Sequence, residues 1–595
     1  MTAPLDATTT EPDAAERALL LRVLSALLRE DAVGLRTRSQ PVDRRDGRWL
    51  RLAAGDRDAL LLAIEPDGFQ CTDAARLPLL RRESDGADLT TVAQVVASLR
   101  ALAEPVDRAG FDAFAEECRQ TLGTMRLHTE TRAEVDECLT AHYGVDPADW
   151  TGLTGSLAHD TLAARLDHPV YPTARGRSGL DEIHLRSYAP EFHPRFALRW
   201  LAVPRPALTV AGAAGLPDSW PTPQGLGLPQ LDGTHIAVPV HPLTLGAGLH
   251  EALRDTGLEG QVAFADEAPL AVVPTLSMRT VALVADPALH LKLPLATATL
   301  GLRNRRTIKP RTVADGAAVQ RLLEAVIARV PRFQDSVLLA DETVFLHAGH
   351  ELLAVLCRRY PAGLDESVVV PMAALLSEAP GGRLLIDHLA DRFYGGDPVL
   401  LMDACLALLF DWQTTLFSYG IGLESHQQNI SLVLDQPSGG RPRLRLLLKD
   451  NDAPRINTAR LRECLGGDAA DPSDFADPRI CGEGDRAVAD LFTTITVHLC
   501  AGAYAFGLAR HGRAPLGRLL QLVHDRLAEA VERIGSAPDE PGAVLRTHVL
   551  DPPQLPVKAM VSAGTLLSKE RSGATDINKH YVRGPNYLLR AEDGR

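Results

Sequence analysis

Between two apolar, helix-patterned stretches, VLLMDACLALLFDWQTTLFSYG and ADLFTTITVHLCAGAYAFGLARHG, the chain inserts two β-like runs, NISLVLD and RLRLLLKD, joined by the turn QPSGGRP. A hairpin at this place constrains the fold more than any other feature. It sets HQQN immediately before the first strand and Lys449 and Asp450 at the end of the second, so that both face one cleft. The segment GLESHQQNISLVL, residues 422–434, packs a carboxylate, an imidazole and three amides just ahead of a β-run. Buried strands do not usually begin this way. A polar cluster entering one strand and an acid closing the next also occur in kinase-like sites, where Asn and Asp hold Mg²⁺ against ATP phosphates. Hard oxygen donors suit that ion. Asn429 and Asp450 are the candidates, with Glu424 a third; on spacing alone, a capped hairpin with exposed polar ends is the competing reading.

Two further segments carry cations and hydroxyls. In PTLSMRTVAL, a Ser-x-Arg-Thr turn offers Ser277, Arg279 and Thr280, and in HLKLPLATATLGLRNRRTIKPRT the amine of Lys292 lies in a β-alternating run. Together these suit a triphosphate: arginine gives bidentate bonds, and lysine acts as a mobile point charge. Thr299 and Arg303 share a face if that stretch is helical. The third segment, LDHPVYPTARGRSGL, carries His168, Arg175 and Arg177 on a loop stiffened by prolines, the alternative being a Pro-rich linker. Each residue taken alone also fits an ordinary loop position.

The rest of the chain sets the frame. Residues 1–165 read as a mainly helical domain with one strand-like interruption at DALLLAIEPDGFQCT. Residues 166–320, dense in proline with short runs such as HIAVPV, read as strands and ordered loops. Residues 321–595 return to apolar helical patterns around the hairpin. The fold class expected is α+β. The formal charge of −14, with acids spread along the chain, argues against a nucleic-acid partner, although Arg303, Arg305, Arg306, Lys309 and Arg311 crowd one segment and leave room for a small anion. Eight cysteines without a CxxC pair fit reduced thiols. The N-terminus shows no basic leader, and no stretch of about 18 uncharged apolar residues occurs, so a cytoplasmic protein without a membrane span is expected. There is no GxxxxGK[ST] loop, G-x-S-x-G elbow or HExxH motif.

In order along the chain, HPVYPTARGRSGL, YAPEFHPRFALRW, VPVHPLT, PTLSMRT, HLKLPLATATLGLR, ESHQQN and LLLKD resemble the boxes of the IucA/IucC family of NRPS-independent siderophore synthetases, with a weaker echo at PVKAMVSAGTLLSK. The collinear series carries the resemblance. It implies three parts, a helical thumb, β-rich fingers and a kinase-like palm, with ATP between fingers and palm. It also implies adenylation of citrate or a related polycarboxylic acid and condensation with an amine or alcohol, releasing AMP and pyrophosphate. By this resemblance His168, Ser277, Arg279, Thr280, Lys292 and Arg303 contact phosphate, and Gln428, Asn429 and Asp450 complete the nucleotide and Mg²⁺ site. His426, Thr299, Arg303 and Lys558 hold the polycarboxylate, and a homodimer is expected. No covalent nucleophile is needed, which agrees with the lack of a Ser-His-Asp or Cys-His signature. Tyr171 stands where the family usually has a second histidine, and Arg175 where it has lysine. The rival readings are a kinase-like phosphotransferase and a protein that binds citrate or nucleotide without turnover.

Overall fold

A computed structural model describes residues 12–55, 58–301, 304–437, 440–468, 471–572 and 580–591. Among the described residues the fold mixes helices with six sheets. Its first helix, Ala14–Arg29, is capped by Asp13, whose carboxylate accepts the Glu16 N–H at 2.8 Å. Leu20, Leu24, Leu27 and Leu28 then fall on one side and are buried. They pack on a five-stranded antiparallel meander, Ser39–Arg44, Gly47–Ala53, Ala59–Pro66, Asp73–Arg82 and Asp88–Leu89.

This meander replaces the single strand-like interruption expected at DALLLAIEPDGFQCT, while helices still make up most of the segment to residue 165. The strands alternate arginine with apolar residues, as in GRWLRLA, and consecutive leucines in ALLLAIEP mask the two-residue period. Helices follow only from Val92, where Thr91 and Gln94 form a reciprocal capping box.

The middle region builds a seven-stranded sheet in the order Phe196–Ala197, Ala271–Pro274, Thr280–Leu283, Leu289–Lys292, Ala354–Arg359, Asp341–His347, Thr209–Ala211. Two of these strands lie beyond residue 320, so the boundary expected there cuts through the sheet. The expected hairpin is present: Ile430–Asp435 pairs antiparallel with Arg443–Leu448, matching Ile430 to Leu448 and Asp435 to Arg443. Val368–Pro371 and Val337–Leu339 extend it to four strands, the latter parallel.

Pro398–Ser418 and Arg486–Arg510 are long and apolar enough, by length and composition, to cross a membrane, contrary to the sequence reading. The most apolar window of the first is 67% buried within the fold and that of the second 100%. One hydrophobic core joins the N-terminal helix and sheet to this last region, running from Leu19 to Leu588.

Candidate functional site

The middle sheet and the hairpin face each other across a cavity of about 850 Å³. His168, Ser277, Arg279, Lys292, Thr299, Glu424, His426, Gln428, Asn429, Asp450 and Lys558, all singled out in the sequence, line it. Thr280 does not, but its buried hydroxyl donates to Ser277 Oγ at 3.4 Å. Arg303 lies outside the described residues. The face that Thr299 and Arg303 would share if that stretch were helical therefore lies outside the described residues too; beside it, Ala298 and Arg305 form an antiparallel bridge.

The centre of the site is ionic. Antiparallel pairing sets Thr280 opposite Lys292, bringing the Ser-x-Arg-Thr turn beside the lysine. Lys292 Nζ, almost fully buried, donates to Asp450 Oδ1 and, at 3.2 Å, to Asp452 Oδ2. The middle sheet thus meets the hairpin through a direct ion pair. Arg358 Nη2 lies 3.3 Å from the same Asp450 oxygen, and Arg358 Nε donates to Glu342. Burial opposes charge on Asp450, but Lys292 and Arg358 outweigh it and hold the carboxyl far below its ordinary range. Asp450 has a left-handed backbone (φ 61°), and its N–H donates to both Glu342 oxygens, at 2.9 and 3.1 Å.

Two histidines present a defined tautomer. His168 Nδ1 accepts the N–H groups of Val170 and Tyr171 at 3.2 and 3.0 Å, which leaves the ring proton on Nε2. Burial, with His426 and Arg22 adding to it, lowers its pKa to about 3, so it is a neutral donor at pH 7. His426 Nδ1 accepts Gln428 N–H at 3.3 Å in the same manner, and burial also lowers its pKa despite Glu424 and Asp450. Lys558 Nζ sits 3.4 Å from Glu424 Oε1, and burial lowers its pKa. Asn429 Nδ2 donates to the Glu424 carbonyl at 3.2 Å.

Several side chains named in the sequence were given no place in the candidate site. Arg306 lines the cavity and donates to Thr299; burial, with Arg279 and Arg177 nearby, lowers its pKa to about 9. The crowded basic run was its sequence signal. Arg175 and Arg177 also line the cavity, anchored by Asp167 at 2.6 Å and by the buried Glu191 at 2.9 Å. Tyr171 instead turns into the interior, where it, Thr173 and Thr565 donate to the Glu117 carboxylate at 3.1, 3.1 and 2.6 Å. Glu342 and Arg358, charges at the ends of otherwise apolar strands, were missed because the residue both meet, Asp450, is remote in sequence.

Among the described residues no group of three or more His, Cys, Asp or Glu gathers in a metal-holding cluster. Asp450 and Asp452, both on Lys292, Glu424, on Lys558, and Asn429 offer the hard oxygens a Mg²⁺–phosphate unit takes.

Residues 159–377 match the IucA / IucC family, and residues 401–570 match a family described as ferric iron reductase FhuF-like transporter. The chain is similar to the 2-[(L-alanin-3-ylcarbamoyl)methyl]-3-(2-aminoethylcarbamoyl)-2-hydroxypropanoate synthase of Staphylococcus aureus, 24% identical over 332 residues, covering 50% of this chain and 52% of that protein. The chain spans about half the length of the curated relatives it matches. Among solved structures, the petrobactin biosynthesis protein AsbB of Bacillus anthracis superposes with a TM-score of 0.77 at 17% identity, over 98% of this chain and 96% of that one. ATP-bound aerobactin synthetase IucA of Klebsiella pneumoniae gives 0.68 at 17% identity, over 96% and 99%.

Proposed function

We propose that this chain is an ATP-dependent siderophore synthetase that adenylates a carboxylate of citrate, or of a related polycarboxylic acid, and condenses it with an amine or alcohol. One observation carries the reading: cations from the middle sheet and the Asn429/Asp450 hairpin ends converge on one cavity through the Lys292–Asp450 pair. Carboxylate and phosphate repel each other, so cations must neutralise both before they approach in line, and that positioning supplies much of the catalysis. A carboxylate oxygen attacks the α-phosphorus and pyrophosphate leaves; the amine or hydroxyl then attacks the acyl carbon, loses its proton, and AMP leaves.

Within this scheme Ser277, Arg279, Thr280, Lys292 and His168 receive the phosphates, joined by Arg303 and Gln428. Neutral His168 donates Nε2–H without adding charge. His426, Thr299, Lys558 and Arg303 hold the polycarboxylate. Asn429 and Asp450 would hold Mg²⁺, which screens phosphate charge when bound. Because Asp450 is already satisfied by Lys292 and Arg358, nucleotide entry exchanges partners: phosphate draws Lys292 away and releases the carboxylate. We read the three regions as thumb, fingers and palm, and expect a cytoplasmic homodimer, which size-exclusion chromatography with light scattering would check.

The decisive measurement is nucleotide product analysis with hydroxylamine trapping across di- and tricarboxylates. Acid-dependent AMP and pyrophosphate support the ligase, and ADP as sole product points to the kinase-like phosphotransferase instead. Asp450→Ala and Arg303→Ala are each expected to lower adenylation at least tenfold, about 1.4 kcal/mol of barrier; near wild-type rates in both would remove the site assignment.

A further inference from the structure

Glu342 and Arg358 stand on adjacent antiparallel strands of the middle sheet, Asp341–His347 and Ala354–Arg359, and are 4% and 2% exposed. They pair through Arg358 Nε. Burying two charges costs free energy that their mutual attraction repays poorly, and an apolar pair of similar volume is often at least as stable. Stability alone therefore does not explain an ion pair inside apolar strands.

What the pair touches does explain it. Both Glu342 oxygens accept the N–H of Asp450, a residue held at φ 61°, a conformation that costs a non-glycine residue about 1 kcal/mol or more. Arg358 Nη2 forms an ion pair with the Asp450 carboxylate at 3.3 Å and makes no hydrogen bond among the described residues. One partner fixes the backbone of Asp450 and the other steers its side chain. We propose that Glu342 and Arg358 are positioning residues, acting from the middle sheet across to the hairpin to hold the Asp450 carboxylate where nucleotide and cation are received. This rests on the function proposed above for Asp450.

A thermodynamic cycle on the full-length chain tests it, reading the dissociation constant of ATP by calorimetry with and without Mg²⁺ and, separately, pyrophosphate formation. Glu342→Gln, which keeps an acceptor oxygen but loses the charge, is expected to weaken Mg²⁺-dependent ATP binding about tenfold. Once Asp450→Asn is present it should add less than twofold, because groups acting through one residue are not additive. Arg358→Lys should recover part of the loss seen in Arg358→Met. The double variant Glu342→Leu/Arg358→Met is expected to keep its melting temperature within a few degrees and yet bind as weakly as Asp450→Asn. Additive effects in the Glu342→Gln/Asp450→Asn cycle, or unchanged binding in Glu342→Gln, overturn the proposal, and if the apolar double variant fails to fold the Glu342→Gln cycle decides alone. If Asp450→Asn itself leaves binding and pyrophosphate formation intact, the functional reading of the site fails instead.

Discussion

At the scale of single residues, buried polar groups carry the specific contacts. The Tyr171 hydroxyl is one of three that donate to Glu117, so Tyr171→Phe leaves that buried carboxylate short of a donor. A loss of about 1–2 kcal/mol follows, visible as a lower melting temperature; an unchanged one would refute the role assigned to the hydroxyl. Histidines set the acid limit of the fold. Burial lowers His128 to about 2, His168 and His241 to about 3, and His193 and His498 to about 4. Each is neutral when folded and takes up a proton near pH 6.5 when unfolded. The unfolded chain therefore binds more protons below pH 6.5, and stability falls as pH drops from there toward about 4. Denaturant midpoints at pH 7 and pH 5 should differ in that direction, and an equal or higher midpoint at pH 5 would contradict it. The same burial predicts no break in the rate near pH 6.5 from His168. Lys292, Asn429 and Asp450 were legible in the sequence because each is a polar residue at the end of, or within, an apolar run. Tyr171 was flagged only as a departure, and Glu117, its partner, lies 54 positions away with no local mark.

Among elements, local chemistry decided what the sequence revealed. The hairpin of residues 430–448 was readable because Gly-rich turn residues separate two strongly apolar runs. The chain around Thr299 was not, because ATATLGLRNRRT satisfies no clear period, although Ala298 bridges Arg305. Gly301 sits there at φ 106°, and a Cβ on it would stand 2.9 Å from the backbone carbonyl oxygen of Gly564. Gly301→Ala is expected to destabilise by about 1–3 kcal/mol and to displace the wall that carries Thr299. Thermal unfolding and ATP affinity should both move; a wild-type melting temperature would show that the close approach is unimportant. The N-terminal meander escaped detection for a related reason, since its outer face is arginine-rich and its inner leucines are consecutive.

For the whole molecule, domain borders drawn from composition fared worst, because the cores are not contiguous in sequence. Tyr587 and Leu588 are fully buried beside residues 491–506, and the Tyr587 hydroxyl bonds His498 Nδ1 at 2.9 Å and the Val497 carbonyl at 3.2 Å. Deleting residues 581–595 would open a cavity costing more than about 4 kcal/mol. Insoluble protein or loss of cooperative melting is expected, and a soluble truncation with a wild-type melting temperature would contradict this. Glu30 adds to the closure: its carboxylate accepts the N–H groups of Val561 and Ser562 at 3.1 and 2.7 Å. A ribosome making this chain emits Glu30 hundreds of codons before its partners Val561 and Ser562 exist. The helix that carries it packs on the neighbouring meander early, but this carboxylate waits for its donors until translation is nearly finished.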